Sequence, residues 1–274
     1  MNSWSREWIW QVAMEQSARD CGCTVEQLLG EQNTVLSAKE LSGAKKYYQG
    51  RHFCQMISYG HGTVAVVNPA IEGFVRQYLQ DCRYPFSAFD TPHINCLHQE
   101  AKKHGQSLCF LAEYFLPEPS EQPVPVPDHL QIRLLYEDEL LQLYPDKRFP
   151  MALGYTRTEP KKDVIAAVGY LGSEIVGMAG ASDDCETMWQ VGIDVLPTFR
   201  GRGYARALVD TLTREIMRLD KVPFYCTAWS NIASKRTAIS CGYRDAWVIL
   251  LPPLSKRREN AFTEKMIHHS EDNR

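Results

Sequence analysis

Val195, Leu196, Pro197, Thr198, Phe199, Arg200, Gly201, Arg202, Gly203, Tyr204 and Ala205 stand where an apolar strand pattern ends and a helical one begins. Pro197 has no amide to donate and stops a strand ladder, while Gly201 and Gly203 let the backbone turn and approach a ligand closely. The first amides of the following helix have no intrahelical acceptor, and the positive end of its dipole faces the turn. An anion such as pyrophosphate suits that place. Arg200 and Arg202 add positive charge. Ala205, Leu208, Leu212, Ile216 and Leu219 recur at helical spacing and predict a buried helix behind the loop. A P-loop would need Lys followed by Ser or Thr after its glycine, and a dinucleotide fingerprint would need glycine where Arg206 stands, so neither fits. An ordinary basic turn between strand and helix is the alternative.

The same residues resemble the GNAT superfamily of acyl-CoA-dependent N-acetyltransferases. In that family a strand ending in Val-x-Pro is followed by Arg or Gln, two residues, Gly, one residue, then Gly or Ala. Val195, Pro197, Arg200, Gly203 and Ala205 fill those places, and Asn231, Ser234, Gly242 and Tyr243 continue the likeness at matching spacing. The resemblance implies a splayed strand pair that admits the pantetheine arm of acetyl-CoA as a pseudo-strand. By analogy Val195 gives backbone hydrogen bonds to that arm, the loop Arg200, Gly201, Arg202, Gly203, Tyr204 and Ala205 holds pyrophosphate, and Asn231 and Ser234 line the groove. Asn231 suits an ordinary helix cap equally well.

Acylating an alkyl amine from a thioester requires a neutral nucleophile, although the amine arrives protonated, with a pKa of about 10. Some group must take the proton. Family members commonly carry a tyrosine four residues after the Ala or Ser of the second helix, where this chain has Ala238, and some carry a glutamate where an approximate alignment puts Trp189. Asp194 is the nearest acidic candidate for the base. Asp183, Asp184 and Glu186 are alternatives, and for each a solvated carboxylate is the plainer reading. Cys226 reads as a small buried strand residue. Tyr225, Trp229, Tyr243 and Trp247 could line an acceptor pocket or pack in a core.

The elements that must position these groups can be read from periodicity. Before residue 118, Trp4, Trp8, Val12 and Ala13 predict a helix, and Thr24 caps a short one through Leu29. Residues 53–59 and 62–67 read as strands, helices start at Pro69 and Pro92, and 108–116 reads as a strand. Alternating prolines over 119–128 predict an extended linker. After it come a strand at 130–135, a short helix at 137–144, a hairpin of 163–170 with 174–181, and strands at 187–196, 224–229 and 247–251. The expected architecture is therefore α/β with a mixed sheet. A GNAT-like domain over 129–253 follows a smaller mixed α/β lobe over 1–118, and a charged tail occupies 254–274. The segment Tyr84 to Asp90 could supply the acceptor site with an aromatic wall.

Composition limits the partners. Thirty basic residues stand against 33 acidic ones, so the broad positive field that nucleic acid or an anionic membrane requires is missing. Charge enters at Arg6 and Glu7, which argues against a signal peptide, and nine scattered cysteines fit reduced thiols in the cytoplasm. Cys21 and Cys23 with Cys96 and His98 lack a paired metal-ligand spacing, so no metal is expected. The expected partners are acetyl-CoA as co-substrate and a small-molecule primary amine as acceptor. A homodimer is compatible with the sequence, and a non-catalytic acyl-CoA sensor is the rival reading.

Overall fold

The computed structural model describes residues 4–46, 53–108, 110–154 and 162–251. The expected tail over 254–274 and Cys109 lie outside them. In chain order the elements are α1 (Arg6–Cys21), α2 (Val25–Leu29), β1 (Thr34–Ser37), β2 (Cys54–Ser58), β3 (Val64–Val67), α3 (Glu72–Asp81) and α4 (Thr91–Lys103). They are followed by β4 (Phe110–Pro117), β5 (Gln131–Tyr136), β6 (Asp163–Leu171), β7 (Glu174–Ser182), β8 (Met188–Val195), α5 (Tyr204–Arg218), β9 (Val222–Ala228), α6 (Ile232–Ser240) and β10 (Tyr243–Leu251). Glu137–Leu143, expected as a short helix, is a 3-10 turn.

The chain divides into two compact units, one comprising Met1–Asp20, Ser42–Tyr47 and Glu113–Ala246, the other Cys21–Leu41, Tyr48–Ala112 and Trp247–Arg274. The proline-rich stretch belongs to the first unit because α5 holds it: the Val124 amide donates to Asp210 Oδ2 at 3.0 Å, and the Arg214 guanidinium donates to the Ser120 carbonyl at 3.1 Å.

In the second unit β1 pairs parallel with β3, β3 antiparallel with β2, and β2 antiparallel with the Val248–Leu250 part of β10. Both β2 and β3 are buried along their whole length; β3 is apolar throughout, whereas β2 also buries Gln55 and Ser58. Val75 and Leu79 of α3 and Leu97 of α4 close that core over Met56, Ala65 and Val67. Thr24 caps α2 through a reciprocal capping box with Gln27. Tyr84 and Phe86 are exposed and stack on each other at 5.3 Å.

In the first unit the spatial strand order is β4, β9, β8, β7, β6, β5. β5 to β8 run antiparallel in sequence, and β9 then joins β8 in parallel through α5, so the sheet is mixed. Leu208, Val209, Leu212 and Ile216 of α5 pack on Ile165, Ala167, Ala179 and Val191 from one face. Each such burial contributes about 1.5–3 kcal/mol. The opposite face is covered by Leu140, Leu143, Phe149, Ala152 and Leu153 against Ala166, Val168 and Met178. Strand alternation thus gives Trp189, Val191 and Ile193 to α5 and Gln190, Gly192 and Asp194 to the other face. No described helix is long and apolar enough to cross a membrane.

Candidate active site

β8 and β9 begin as a regular parallel pair, Met188 opposite Val222, Trp189 opposite Pro223, Gln190 opposite Phe224 and Val191 opposite Tyr225. There the register ends, although β8 runs on to Val195 and β9 to Ala228. The strands part, and the edge of β8 that faces β9 is open from Gly192 to Val195, while its other edge still pairs with β7. Backbone donors and acceptors on such an edge want partners, which an extended ligand can supply.

β8 leads directly into the glycine loop. A 3-10 turn over Pro197–Phe199 ends at Arg200, and Gly201 and Gly203 take φ of 76° and 80°, the left-handed region that favours glycine. A Cβ on Gly201 would have no neighbour within 4 Å, so there is open space beside the loop at that residue. Gly203 is the N-cap of α5, and its carbonyl accepts the Ala207 amide at 3.1 Å. The amides of Tyr204 and Ala205 therefore precede any intrahelical partner and sit at the positive end of α5. Arg200 is exposed and donates from Nε to the Val195 carbonyl at 3.0 Å, a carbonyl that a ligand amide would have to share. Arg202 donates to the Thr198 carbonyl at 3.3 Å and lies over the Phe199 ring. On the far side of the parting, Asn231 Oδ1 accepts from the Ser234 amide at 3.2 Å, and so caps α6.

The other face of the sheet holds a feature that motif reading missed. Gly180 and Gly192 are cross-strand partners in β7 and β8. A Cβ on either would fall 2.0 Å from a backbone oxygen, that of Ala152 for Gly180 and that of Met151 for Gly192. Residues 150–154 therefore cross the sheet in backbone contact, which side chains at 180 or 192 would forbid. Two carboxylates pin this strap. Asp194 Oδ2 accepts the amides of Met151 and Ala152 at 2.6 and 3.0 Å, and Asp163 Oδ1 accepts the Gly154 amide at 2.8 Å. A cavity of about 310 Å³ is lined by strap residues 150–154 together with Asp163, Ser182, Gln190 and the glycine pair. Glycine inside a strand pattern marks close backbone approach, and this was the sequence signal for the strap. Gly192→Ala is expected to displace it and cost about 1–3 kcal/mol through overpacking. Urea unfolding checks this, and an unaltered midpoint would mean that the strap yields freely.

Asp194 is half-buried, and that burial raises its pKa above the ordinary aspartate value, while the two strap amides and Arg200 pull it back. Of the alternatives, Asp183 is paired with Lys46 at 2.7 Å, Asp184 is buried and Glu186 is exposed. Trp189 packs against the α5 core and Ala238 is fully buried. Tyr225, Tyr243 and Trp247 are buried, and Trp229 is exposed. Among the described residues no cluster of His, Cys, Asp and Glu could hold a metal ion.

Residues 130–243 match the family model described as the acetyltransferase (GNAT) family. No curated protein matches the chain. Among solved structures, a GNAT-family protein from Novosphingobium aromaticivorans shares 22% identity over 56% of this chain and 69% of its own, with a TM-score of 0.39. An N-acetyltransferase-like protein from Streptococcus suis shares 12% over 59% and 68%, at 0.41. An aminoglycoside N-acetyltransferase in complex with CoA shares 19% over 45% and 93%, at 0.34. The assignment rests on the family match and on the strand, loop and helix residues inside it: residues 130–243 are a domain of the GNAT acetyltransferase family.

Proposed function

We propose that this chain is an N-acetyltransferase that moves an acetyl group from acetyl-CoA, its co-substrate, to a primary amine of a small molecule. The observation that carries the reading is the parting of β8 from β9 after Val191 and Tyr225, immediately before an open glycine loop at the start of α5. The amides of Gly201 to Ala205, with Arg200 and Arg202, suit the pyrophosphate. The open edge from Gly192 to Val195 suits the amide-bearing arm and offers donors to a carbonyl oxygen that gains charge. Asn231 and Ser234 border the same groove from α6. The bound thioester supplies an acyl carbon activated for attack. The strap cavity on the opposite face of β8 is the proposed place for the amine, and Asp194, which accepts the amides of the lining residues Met151 and Ala152, is the proposed proton acceptor.

Gly203→Val is expected to weaken acetyl-CoA binding more than tenfold, about 1.4 kcal/mol or more, because a β-branched residue strains at φ 80° and moves the amides that follow. The fold should persist, since Gly203 is exposed and its nearest neighbour, Pro127 Cγ, is 3.6 Å from a built Cβ. Arg200→Ala should cost less and fade with salt. Calorimetric titration measures both, and undiminished affinity in Gly203→Val would place the coenzyme elsewhere.

The second reading, an acyl-CoA sensor without catalysis, is favoured by Ala238 standing where related helices carry tyrosine. Acetyl-CoA titration followed by a panel of primary amines, with released thiol measured, separates the two. Tight binding without thiol release supports the sensor, and absence of binding sinks both.

A further inference from the structure

Resting on the coenzyme site above, we propose that Tyr225 and Ser234 form a two-hydroxyl donor chain that stabilises the departing sulfur of CoA. Tyr225 is the last residue of β9 in register with β8, so it stands where the strands part. Its hydroxyl lies 2.9 Å from Ser234 Oγ in the first turn of α6. Phe115 and Tyr243 hold its ring by edge contacts at 6.5 and 6.1 Å, which leaves the phenol oxygen little freedom. Tyr225 is buried, whereas Ser234 is half-buried and borders the groove. The order is therefore phenol behind, serine in front.

Ser234 and Ala238 are four residues apart on α6 and so share a face. Ala238 offers no donor, so the hydroxyl on that face is that of Ser234, backed from the strand by Tyr225. Tyr243, the neighbouring phenol, cannot serve, because it is fully buried with its oxygen 2.6 Å from Thr213 Oγ1. Burial pushes the Tyr225 phenol up to about 12 despite the Ser234 hydrogen bond, so it keeps its proton at neutral pH and has one to donate to Ser234 Oγ. The other ionisable groups that act on it are Cys241, Cys226 and Asp194.

In the transfer the amine nitrogen bonds to the acyl carbon and the C–S bond breaks, leaving its electron pair on sulfur. The Tyr225 O–H donates to Ser234 Oγ, whose own O–H donates to that thiolate. The proton shed by the amine is the one that finally neutralises the sulfur, so the pair stabilises charge and is not consumed. A charge-assisted donor of this kind is worth about tenfold.

The test needs no acceptor. Affinity for CoA and for desulfo-CoA, which lacks the sulfur, is measured from about pH 7 to about pH 10, across the ordinary thiol pKa of about 8.5. In the wild type, CoA should gain about tenfold over desulfo-CoA as its thiol ionises. Tyr225→Phe should lose that gain while binding desulfo-CoA as before, Ser234→Ala should lose it as well, and Ser234→Thr should restore it. A gain unchanged in Tyr225→Phe overturns the donor chain, as does equal weakening of both ligands, which marks a structural residue. If neither ligand binds the wild type, the coenzyme site falls and the donor chain with it.

Discussion

Asp20→Ala is expected to destabilise the first unit by about 3–5 kcal/mol, the cost of leaving one partner of a buried ion pair uncompensated. Asp20 near the end of α1 and Lys45 are only 2% and 1% exposed. Lys45 Nζ donates to Asp20 Oδ2, its amide donates to Oδ1 at 2.8 Å, and Gln16 Nε2 donates to the same oxygen at 2.9 Å. Phe224 of β9 lies 5.7 Å from the ammonium. Removing the carboxylate strands both the ammonium and two donors. Burial, the largest single influence, would lower the lysine pKa, but the charge and hydrogen bond of Asp20 together with nearby Cys185 and Asp184 outweigh it and the value is raised. A raised lysine pKa means that the pair's contribution is complete below the unfolded value of 10.5 and is lost as pH rises beyond it. Denaturant midpoints at neutral pH check the substitution. The double replacement Asp20→Leu with Lys45→Met should be milder than either single change, because it removes both partners of the pair together. A midpoint for Asp20→Ala close to wild type would show that water reaches the pair.

Asp194→Asn should reduce turnover at neutral pH by about a hundredfold or more, with acetyl-CoA affinity nearly unchanged. The substitution isolates the proton from the strap. One side-chain oxygen already accepts both the Met151 and Ala152 amides, and the amide oxygen of asparagine can keep those two bonds while offering no base. Asp194→Ala, by contrast, should also release the strap and lower stability. Because burial raises the Asp194 pKa, the ionised, base-competent form is lost on acidification at a higher pH than for an exposed aspartate. Turnover should therefore climb with pH through that raised value, and the climb should vanish in Asp194→Asn. Full activity in Asp194→Asn would remove the carboxylate from proton transfer and leave it the strap alone.

Local chemistry determined much of this protein directly from its residues. Thr24 with Gln27, the hairpin of 163–182, and the run from Val195 through the helix starting at Tyr204 all carry signals within a few positions, because caps, turns and amphipathic stripes are satisfied by near neighbours. The glycine loop belongs to this class, since its anion-binding character comes from backbone geometry that Gly201 and Gly203 impose. Tertiary structure decided the rest, where the partner is remote in sequence. β1 is four residues long and is a strand because β3, thirty residues on, pairs beside it. β10 begins at Tyr243 rather than at Trp247, because Gly242 at φ 87° ends the α6 turn early. The proline stretch reads as a free linker until Asp210 and Arg214 of α5 meet its backbone. Nothing local in the sequence marks Lys45, yet it is buried against Asp20. Asp194 could be picked out as a carboxylate near the loop, but only the fold brings Met151 and Ala152 onto it, across a glycine pair whose missing side chains make room for the strap.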